Sequence, residues 1–159
     1  MKNEAAAGIA DLVIISVPVS GHRVTVESIK DVVRDKIVLD VSIPLAFKPL
    51  RYAPPPEGSN ALEVQAILGK ENRVTAGFHT ISAELLLDLS NPISGDVLIA
   101  GDDKDAKASV IRLAESIGLR AFDAGSLILA SSLEGLTPVL ISINKRYNST
   151  RTGIRLEVV

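Results

Sequence analysis

The feature that most limits the fold of this chain is a series of short, continuous apolar runs rich in β-branched residues. Three of them are DLVIISVP (11–18), KIVLDVS (36–42) and RVTAGF (73–78). Each has the length of a strand and lacks the spacing of an amphipathic helix. Runs without polar alternation are typical of strands buried on both faces of a sheet. These segments therefore predict buried strands.

Segments with helical features follow the first two runs. GHRVTVESIKDVVRD (21–35) has helical spacing at Val24, Ile29, Val32 and Val33, and NALEVQAILG (60–69) ends in a glycine. Between them, AFKPLRYAPPPEGS (46–59) indicates a long proline-rich loop. Strands that alternate with helices predict an α/β fold, in which a parallel sheet carries helices on its faces.

A smaller α/β unit follows. GDVLIAG (95–101), LRAFDAG (119–125) and GIRLEVV (153–159) are strand-like, and 102–118 fits an amphipathic helix. The segment 126–147 fits a long apolar helix that Pro138 should kink or divide. We place a division near residue 102, so that residues 1–102 form one unit and residues 103–159 the other.

Composition excludes several classes of protein. Hydrophobic residues make up 47% of the 159 residues and charged residues 23%, as in a folded globular chain. The net charge of −2 and an aromatic content of 3% argue against nucleic-acid binding. No apolar run is long enough to span a bilayer, and no secretory signal begins the chain. The absence of cysteine excludes thiolate chemistry, so we expect a cytoplasmic protein without a membrane partner.

Motifs for several chemistries are absent. No G-x-G, P-loop or G-x-S-x-G pattern occurs, which removes the usual phosphate cradles and the hydrolase nucleophile. GDDKD (101–105) precedes a helix, and we interpret it as a helix cap in preference to a magnesium site. The basic residues Lys145, Arg146, Arg151 and Arg155 fit a solvated helix end, with an anionic ligand or a partner subunit as the alternative.

Both histidines of the chain follow predicted strands. Parallel sheets bind ligands beyond the carboxyl ends of their strands, so VPVSGH, SIPLAF and FHTIS should line one crevice. His22 is either a polar residue at a helix start or a wall of that crevice. His79 is either a strand-end histidine with a satisfied ring or the wall of a cofactor pocket.

The ordered series of motifs resembles a known family. ADLVIISVP, DKIVLDVSIPL, PPPEGSNALEVQAIL, RVTAGFHTISAELLLDL, GDVLIAGDD, IGLRAFDAGSL and EGLTPVLISIN occur in the order and spacing of the NADPH-dependent reductases of coenzyme F420, a deazaflavin hydride carrier of archaea and actinobacteria. The resemblance implies a Rossmann-like fold, hydride transfer between NADP(H) and F420, and a homodimer. The apolar stretches SLILASS and TPVLISI also suit a subunit interface, or a cover for the sheet within one subunit.

The resemblance also implies which residues bind the cofactors. His79, Thr80 and Ile81 match the segment that faces the deazaflavin, with Ile81 between the reactive ends of the two cofactors. Gly135 and Thr137 match positions that border the same ring. The remaining cofactor-binding positions match the nicotinamide side and its edge, and they are Val17, Pro18, His22, Gly77 and Phe78. No metal is implied, and no residue is assigned to chemistry beyond hydride positioning by His79 and Ile81.

One departure from the family limits these expectations. The family opens with a strand, a glycine-rich turn and a helix that hold the NADP phosphates, and this sequence matches the family only after that segment. Residues 1–102 then form a partial Rossmann-like NADP-binding domain, and 103–159 completes the F420 site. The alternatives are a non-catalytic deazaflavin-binding or assembly remnant, and a Rossmann-like reductase of a small carbonyl substrate.

Overall fold

A five-stranded sheet organises the computed structural model, which describes residues 2–88, 90 and 92–157. Two further strands form a separate hairpin. In chain order the strands are β1 Leu12–Ile15, β2 Ile37–Asp40, β3 Leu45–Phe47, β4 Leu50–Tyr52, β5 Arg73–Ala76, β6 Asp96–Gly101 and β7 Arg120–Gly125. The sheet has the order β1-β2-β5-β6-β7, and β3 pairs with β4.

Six α-helices are assigned within the described residues. They are α1 Asn3–Ile9, α2 Val19–Ile29, α3 Asn60–Leu68, α4 Ala83–Leu87, α5 Lys104–Ser116 and α6 Ala130–Tyr147. Short 3-10 turns follow α2 (Lys30–Val32) and precede α6 (Leu127–Leu129). Capping follows the sequence signals: Ser59 accepts a hydrogen bond from the amide of Leu62 at the start of α3, and Asp103 accepts one from Ala106 at the start of α5.

The sheet has a hydrophobic core on each face, which confirms the predicted α/β class with helices on both sides. On one face, Val38 of β2 and Val74 of β5 belong to a cluster with residues of α2 and α3. On the other face, Leu39 of β2 and Ile99 of β6 pack with Val110 of α5. Successive residues of β2 thus serve opposite cores, as the alternation of a pleated strand requires.

The sheet is mixed, which differs from the predicted all-parallel arrangement. β1, β2 and β5 are parallel, but β6 runs antiparallel to β5, and β7 is parallel to β6. Among the described residues between β5 and β6, the one helix is α4, of five residues. It is too short to carry the chain back along the sheet as a parallel crossover would. The carboxyl ends of β1, β2 and β5 therefore lie at one edge, and those of β6 and β7 lie at the other.

The predicted proline-rich loop 46–59 is wrong in its first half. Residues 45–52 form the β3–β4 hairpin, in which Leu45 pairs with Tyr52. Pro49 lies in the turn between the strands, where the absence of an amide hydrogen costs no ladder bond. Pro54, Pro55 and Pro56 follow β4, so only this second half is the irregular segment that the prolines predicted.

Two further expectations are corrected in the first third of the chain. Val24 lies on the solvent side of α2 at 69% exposure, because the core-facing residues are His22, Val26 and Ile29. The strand β1 is not buried on both faces, since it pairs with β2 alone and Ile14 is 49% exposed.

Two corrections concern the C-terminal third. A single helix, α6, continues through Pro138, so the proline does not divide it. Its core-facing residues, which include Leu133 and Leu140, pack inward on both sides of the proline. The predicted terminal strand 153–159 is absent over 153–157, where the chain runs beside β6 through a bond from the Asp96 amide to the Ile154 carbonyl. The rest of that prediction, residues 158 and 159, lies outside the described residues.

One helical segment, Leu127–Tyr147, is long and apolar enough by length and composition to cross a membrane, and it alone meets that test among the described residues. Core helices meet it too. In this fold the segment packs on the hairpin, on α3 and on β6, and five of the residues of α6 are buried.

Candidate functional site

A cavity of about 640 Å³ lies at the carboxyl ends of β1, β2 and β5. This is the edge where parallel strands place their ligands. Its walls come from β1 and β2, from the segment after β5, from the last turns of α5 and from the inner side of α6. The lining residues are Ile14, Ser16, Leu39, Val41, Ile43, Phe78, His79, Thr80, Ile81, Ser82, Ala83, Leu86, Leu113, Ile117, Thr137, Leu140, Ile141, Asn144 and Thr152.

The segment after β5 forms the polar wall of this cavity. Phe78 has a φ of 66°, in the left-handed region that side chains other than glycine seldom adopt, and such residues cluster at binding sites. The adjacent Gly77 allows the close approach, because a Cβ there would lie 2.5 Å from Cδ1 of the buried Ile99. His79, Thr80 and Ile81 then follow, each at most 9% exposed.

The hydroxyl groups of this wall donate to backbone carbonyls. Thr80 Oγ1 donates to the Asp96 carbonyl at 3.1 Å, and Thr137 Oγ1 donates to the His79 carbonyl at 2.9 Å. The imidazole of His79 differs, because both of its ring nitrogens are buried without a hydrogen-bond partner among the described residues. Buried polar atoms are almost always paired. The unpaired ring of His79 is therefore unusual, and it lies in the wall of the cavity.

Burial also fixes the charge of this histidine. Burial lowers the pKa of His79 to about 4, and the negative charge of Asp40 opposes that effect only weakly. At neutral pH the ring is therefore uncharged, with one nitrogen as donor and the other as acceptor.

The structure brings together five of the ten residues assigned from the sequence. Phe78, His79, Thr80, Ile81 and Thr137 line the cavity. Gly77 lies directly behind this wall. Gly135 lies on α6 but faces the hairpin, where a Cβ would be 3.9 Å from Cδ1 of Tyr52.

The other three assigned residues lie outside the cavity lining. Val17 and Pro18 follow β1, and Pro18 caps α2 at its start; Val17 is half-buried and Pro18 is exposed. His22 lies on the inner side of α2, is 1% exposed, and points into the protein. Both nitrogens of its ring have hydrogen-bond partners. His22 is therefore a buried structural residue, which differs from both sequence interpretations, a polar residue at a helix start and a wall of the crevice.

The ring of His22 bridges two buried carboxylates. Nε2 lies 2.9 Å from Asp40 Oδ2, and Nδ1 lies 3.0 Å from Glu63 Oε2. Asp40 also accepts bonds from the Ser42 amide at 2.8 Å and from its hydroxyl at 2.6 Å. Glu63 in turn binds Arg23 at 2.6 Å. These five residues, which we call the β2-end network, join α2, β2 and α3.

The β2-end network favours the charged form of the histidine. Burial alone lowers the pKa of His22, but the hydrogen bonds and charges of Asp40 and Glu63 outweigh it and raise the pKa above its usual value. A protonated ring can donate from both nitrogens, one to each carboxylate, and this arrangement fits the two distances.

Sequence reasoning missed a second group of buried polar residues. Glu134, on α6, is 0% exposed and accepts bonds from Tyr52 and from the first amides of α3. The sequence spacing could have indicated this burial, because Glu134 lies on the same helix face as the buried Ala130 and Thr137. Asp40 gave a similar signal, as a carboxylate within an apolar strand.

The basic residues near the C-terminus do not form a common site. Arg151 pairs with Asp88 at 3.0 Å, and Arg155 lies at a different surface, with Arg120 and Phe122. Lys145 and Arg146 are exposed in the last turn of α6, as expected for a solvated helix end. Among the described residues, no group of three or more histidine or acidic side chains is placed to hold a metal ion.

Three curated proteins of similar sequence are named F420-dependent NADP reductase. The chain is 40% identical over 98% of its length to an F420-dependent NADP reductase of Methanocaldococcus jannaschii, of which it covers 72%. It is 39% identical over 97% of its length to a protein of the same name from Methanothermobacter thermautotrophicus, of which it covers 69%. No family model matches the chain.

Solved structures share the fold. A crystal structure provisionally assigned as an F420-dependent NADP reductase from Arthrobacter sp. FB24 superposes with a TM-score of 0.89 at 23% identity, covering 99% of this chain and 74% of that one. An NADP-bound pyrroline carboxylate reductase of Plasmodium falciparum gives a TM-score of 0.59 at 14% identity, over 92% of this chain and 50% of that one. These likenesses support the Rossmann-like α/β fold.

The first prediction concerns the β2-end network. The substitution His22→Phe leaves Asp40 and Glu63 buried without their shared counterion, which should lower the free energy of unfolding by about 3–5 kcal/mol. The neighbouring Arg23→Gln, at a half-exposed residue, should lower the stability much less, because water screens its ion pairs. Urea denaturation at pH 6 measures both. The His22 contribution is complete below pH 6.5 and is lost as the pH rises through the raised folded-state pKa. Equal stabilities for His22→Phe and wild type would contradict the network.

The second prediction concerns the neutral ring of His79. The unfolded chain binds a proton near pH 6.5, whereas the folded protein does so near pH 4, so stability should fall as the pH drops through this interval. The loss should approach about 3 kcal/mol. His79→Phe removes it, and the difference between the two stability curves, from urea denaturation at pH 4 to 7, isolates this one group. Parallel curves would show that the ring is not buried in its neutral form.

Proposed function

The chain belongs to the family of F420-dependent NADP reductases, and from this premise we propose that its cavity binds coenzyme F420 and positions it for hydride exchange with NADP(H). Family membership makes the chain an oxidoreductase whose cofactors are F420 and NADP(H). The residues that bind them are the proposal. The unpaired imidazole of His79 in the wall of the cavity carries it.

The cavity suits a flat heteroaromatic ring with a polar edge. Its walls are mainly aliphatic, from residues such as Leu39, Ile43 and Leu140. Such walls favour the faces of an aromatic ring, and a few fixed polar groups orient it. His79 supplies both a donor and an acceptor at one position. Since its ring has no partner within the described protein, a ligand that pairs with it removes the cost of an unsatisfied buried group.

When bound, the two cofactors supply the chemistry, in which a hydride passes between the nicotinamide and the deazaflavin and one proton is taken up or released. The protein's role is placement. Ile81 is 9% exposed, and Gly95 leaves room for it, since a Cβ at Gly95 would lie 3.0 Å from Ile81 Cδ1. We assign Ile81 to ring spacing and exclusion of water, because hydride transfer requires close, aligned carbons.

Residues of both units of the chain meet at this cavity. Thr137, from 103–159, donates to the carbonyl of His79, from 1–102. This bond fixes the wall and leaves the lone pairs of the Thr137 hydroxyl as acceptors towards the ring edge. We therefore propose that 103–159 completes the F420 site and that 1–102 carries the partial NADP-binding fold.

The nicotinamide side is assigned to the mouth of the cavity near β1. Val17 and Pro18 can contact the ring directly, and Gly77 and Phe78 shape the adjoining edge. His22 is buried with both nitrogens bonded, so its proposed role is to hold Asp40 and the segment after β2 from beneath.

The third prediction tests this function. Purified protein mixed with NADPH and oxidised F420 should bleach the deazaflavin absorbance, and F420 alone should bind with quenching of its fluorescence. Ile81→Ala should lower turnover by about 10- to 100-fold, because the two rings lose their fixed spacing, with a smaller change in F420 affinity.

The control is Ile9→Ala, at a 79% exposed position on α1, which should leave turnover unchanged. A wild-type chain that neither binds F420 nor consumes it would defeat the proposal. Binding of F420 without any turnover or effect of NADPH would instead support the non-catalytic alternative.

We also propose that the protein acts in the cytoplasm as a homodimer, with the outer side of α6 in the interface. This side exposes Val139 at 53%, Ile143 at 37% and Tyr147 at 74%. The neighbouring hairpin adds Phe47, which is 71% exposed. An apolar surface of this kind marks an interaction site, and the apolar composition of the helix had indicated one.

The fourth prediction tests this assembly. Val139→Glu places a charge in the proposed interface and should convert a dimer into a monomer, as measured by light scattering after gel filtration. Val24→Glu is the matched control, because Val24 is a comparably exposed valine on α2 and should leave the dimer intact. A wild-type chain that is monomeric at micromolar concentration would overturn the assignment.

A further inference from the structure

Glu134 is a fully buried carboxyl group in the helix that carries one wall of the cavity. It lies one turn before Thr137, whose hydroxyl donates to the carbonyl of His79. Among the described residues no lysine, arginine or histidine forms an ion pair with it. A buried acid without a counterion is costly unless hydrogen bonds or a proton compensate for it.

The carboxyl group ties three elements together. Its Oε2 accepts from the Asn60 amide at 3.1 Å, and its Oε1 accepts from the Ala61 amide at 3.2 Å. These are the first two amides of α3, at the positive end of that helix. On the other side, the hydroxyl of Tyr52, from β4 of the hairpin, lies 2.8 Å from Oε2. The group thus fixes α6 to α3 and to the hairpin at once.

The number of protons on this group changes its bonds. The Tyr52 hydroxyl has one hydrogen but two acceptors in reach, Glu134 Oε2 and the Gly58 carbonyl at 3.0 Å. If Glu134 is ionised, the hydroxyl can satisfy only one of them. If Glu134 is protonated on Oε2, its own hydrogen reaches the tyrosine oxygen, and the tyrosine hydrogen is free for Gly58. The protonated form therefore satisfies one more hydrogen bond, at a partly buried position.

Both forms are accessible near neutral pH. Burial raises the pKa of Glu134 to about 7, against the opposing effect of the bonds from Tyr52, Asn60 and Ala61, and the negative charge of Asp40 adds to the rise.

Few other charged groups face this site from the surrounding elements. On α3, Glu63 is already bonded to His22 and Arg23. On β6, the titratable side chain is Asp96, which pairs with Arg120. The turn Leu127–Leu129 has no titratable residue. On β4, the charged side chain is Arg51, which is exposed. Asp40, Tyr52 and the amides of α3 thus define the buried surroundings of this carboxyl group.

We propose that Glu134 is a positioning residue of the F420 site, and that the proton on its carboxyl group sets how firmly the hairpin and α3 hold the Thr137–His79 wall. This rests on the proposed function of the cavity. As the pH rises and Glu134 ionises, the Tyr52 hydroxyl donates to the carboxylate and the Gly58 carbonyl loses its donor. The segment before α3 then loosens from the hairpin, and the wall binds the deazaflavin less tightly. The loss of one hydrogen bond corresponds to a change in affinity of about 3- to 10-fold.

The fifth prediction uses Glu134→Gln, whose amide mimics the protonated acid. Its carbonyl accepts from the Ala61 amide, its NH₂ donates to Tyr52, and it does not titrate, although the Asn60 amide loses its acceptor. The dissociation constant of F420, from fluorescence quenching between pH 6 and 8, should rise about 3- to 10-fold in wild type, with a midpoint near 7. In the variant this pH dependence should be absent. Titration of the ligand itself is common to both proteins and cancels in their ratio.

A matched variant separates the proposed positioning role of Glu134 from the effect that burying its carboxyl group has on stability. Tyr52→Phe leaves Glu134 able to titrate but removes the hydroxyl that passes its state to Gly58. F420 affinity should then no longer follow the ionisation of Glu134, although stability still does. Identical pH profiles of affinity for wild type and Glu134→Gln would overturn the proposal, as would a wild-type profile equal to that of Tyr52→Phe.

A measurement without ligand distinguishes this proposal from the function it rests on. Since the folded-state pKa of Glu134 is above its usual value of 4.5, the stability of wild type relative to Glu134→Gln should be highest below pH 4.5 and fall as the pH rises to 7. If wild type titrates in this way but never binds F420, the function of the cavity is wrong and the positioning role falls with it. If it binds F420 but shows no such titration, the role of Glu134 alone is wrong.

Discussion

The fold around the cavity depends on a charge that the sheet buries completely, the carboxylate of Asp40 at the end of β2. A strand end in the middle of a sheet is a costly place for an ion, so the surrounding chain must supply its partners. His22 donates from α2, and Ser42 donates with both its amide and its hydroxyl. Since these donors come from two elements, the position of α2 and the path of the chain after β2 are set together.

The same constraint extends to the rest of the site through α3. The hydroxyl of Ser42 accepts from the side chain of Asn60 at 2.8 Å, and the backbone amide of Asn60 donates to Glu134. The start of α3 therefore lies between the β2-end network and the carboxyl group beneath the hairpin. One continuous set of buried hydrogen bonds joins α2, β2, α3, the hairpin and α6. These hydrogen bonds hold the elements around the cavity in place. The lining of the cavity can therefore be mainly aliphatic and needs few polar groups of its own.

Much of the fold could be predicted from local patterns. The β-branched runs predicted β1, β2 and β5, and Gly69 predicted the end of α3, because burial and capping act within a few residues of sequence. The prediction failed where distant residues decide the outcome. Val24 has the right spacing for a core face. His22 occupies that face instead, because its ring forms hydrogen bonds with the buried Asp40 and Glu63. The hairpin at 45–52 was not predicted, because the prolines in and after it are typical of a loop. The pairing of Leu45 with Tyr52 depends on two strands together and cannot be read from either one alone. The reversal of β6 depends on how far residues 77–95 can carry the chain.

By itself, the sequence determined the α/β class, the strand ends at the cavity, and the motif series that indicated the family, because periodicity and residue order can be read from short stretches of sequence. Within the site, it identified the segment containing His79 and Ile81. Only the tertiary structure decided what each histidine does. His22, within α2, is bonded at both nitrogens by residues 18 and 41 positions away, whereas His79, after β5, has no hydrogen-bond partner among the described residues. The difference arises because hydrogen bonding and desolvation depend on which side chains meet in space, and folding brings acids to one imidazole and an open cavity to the other.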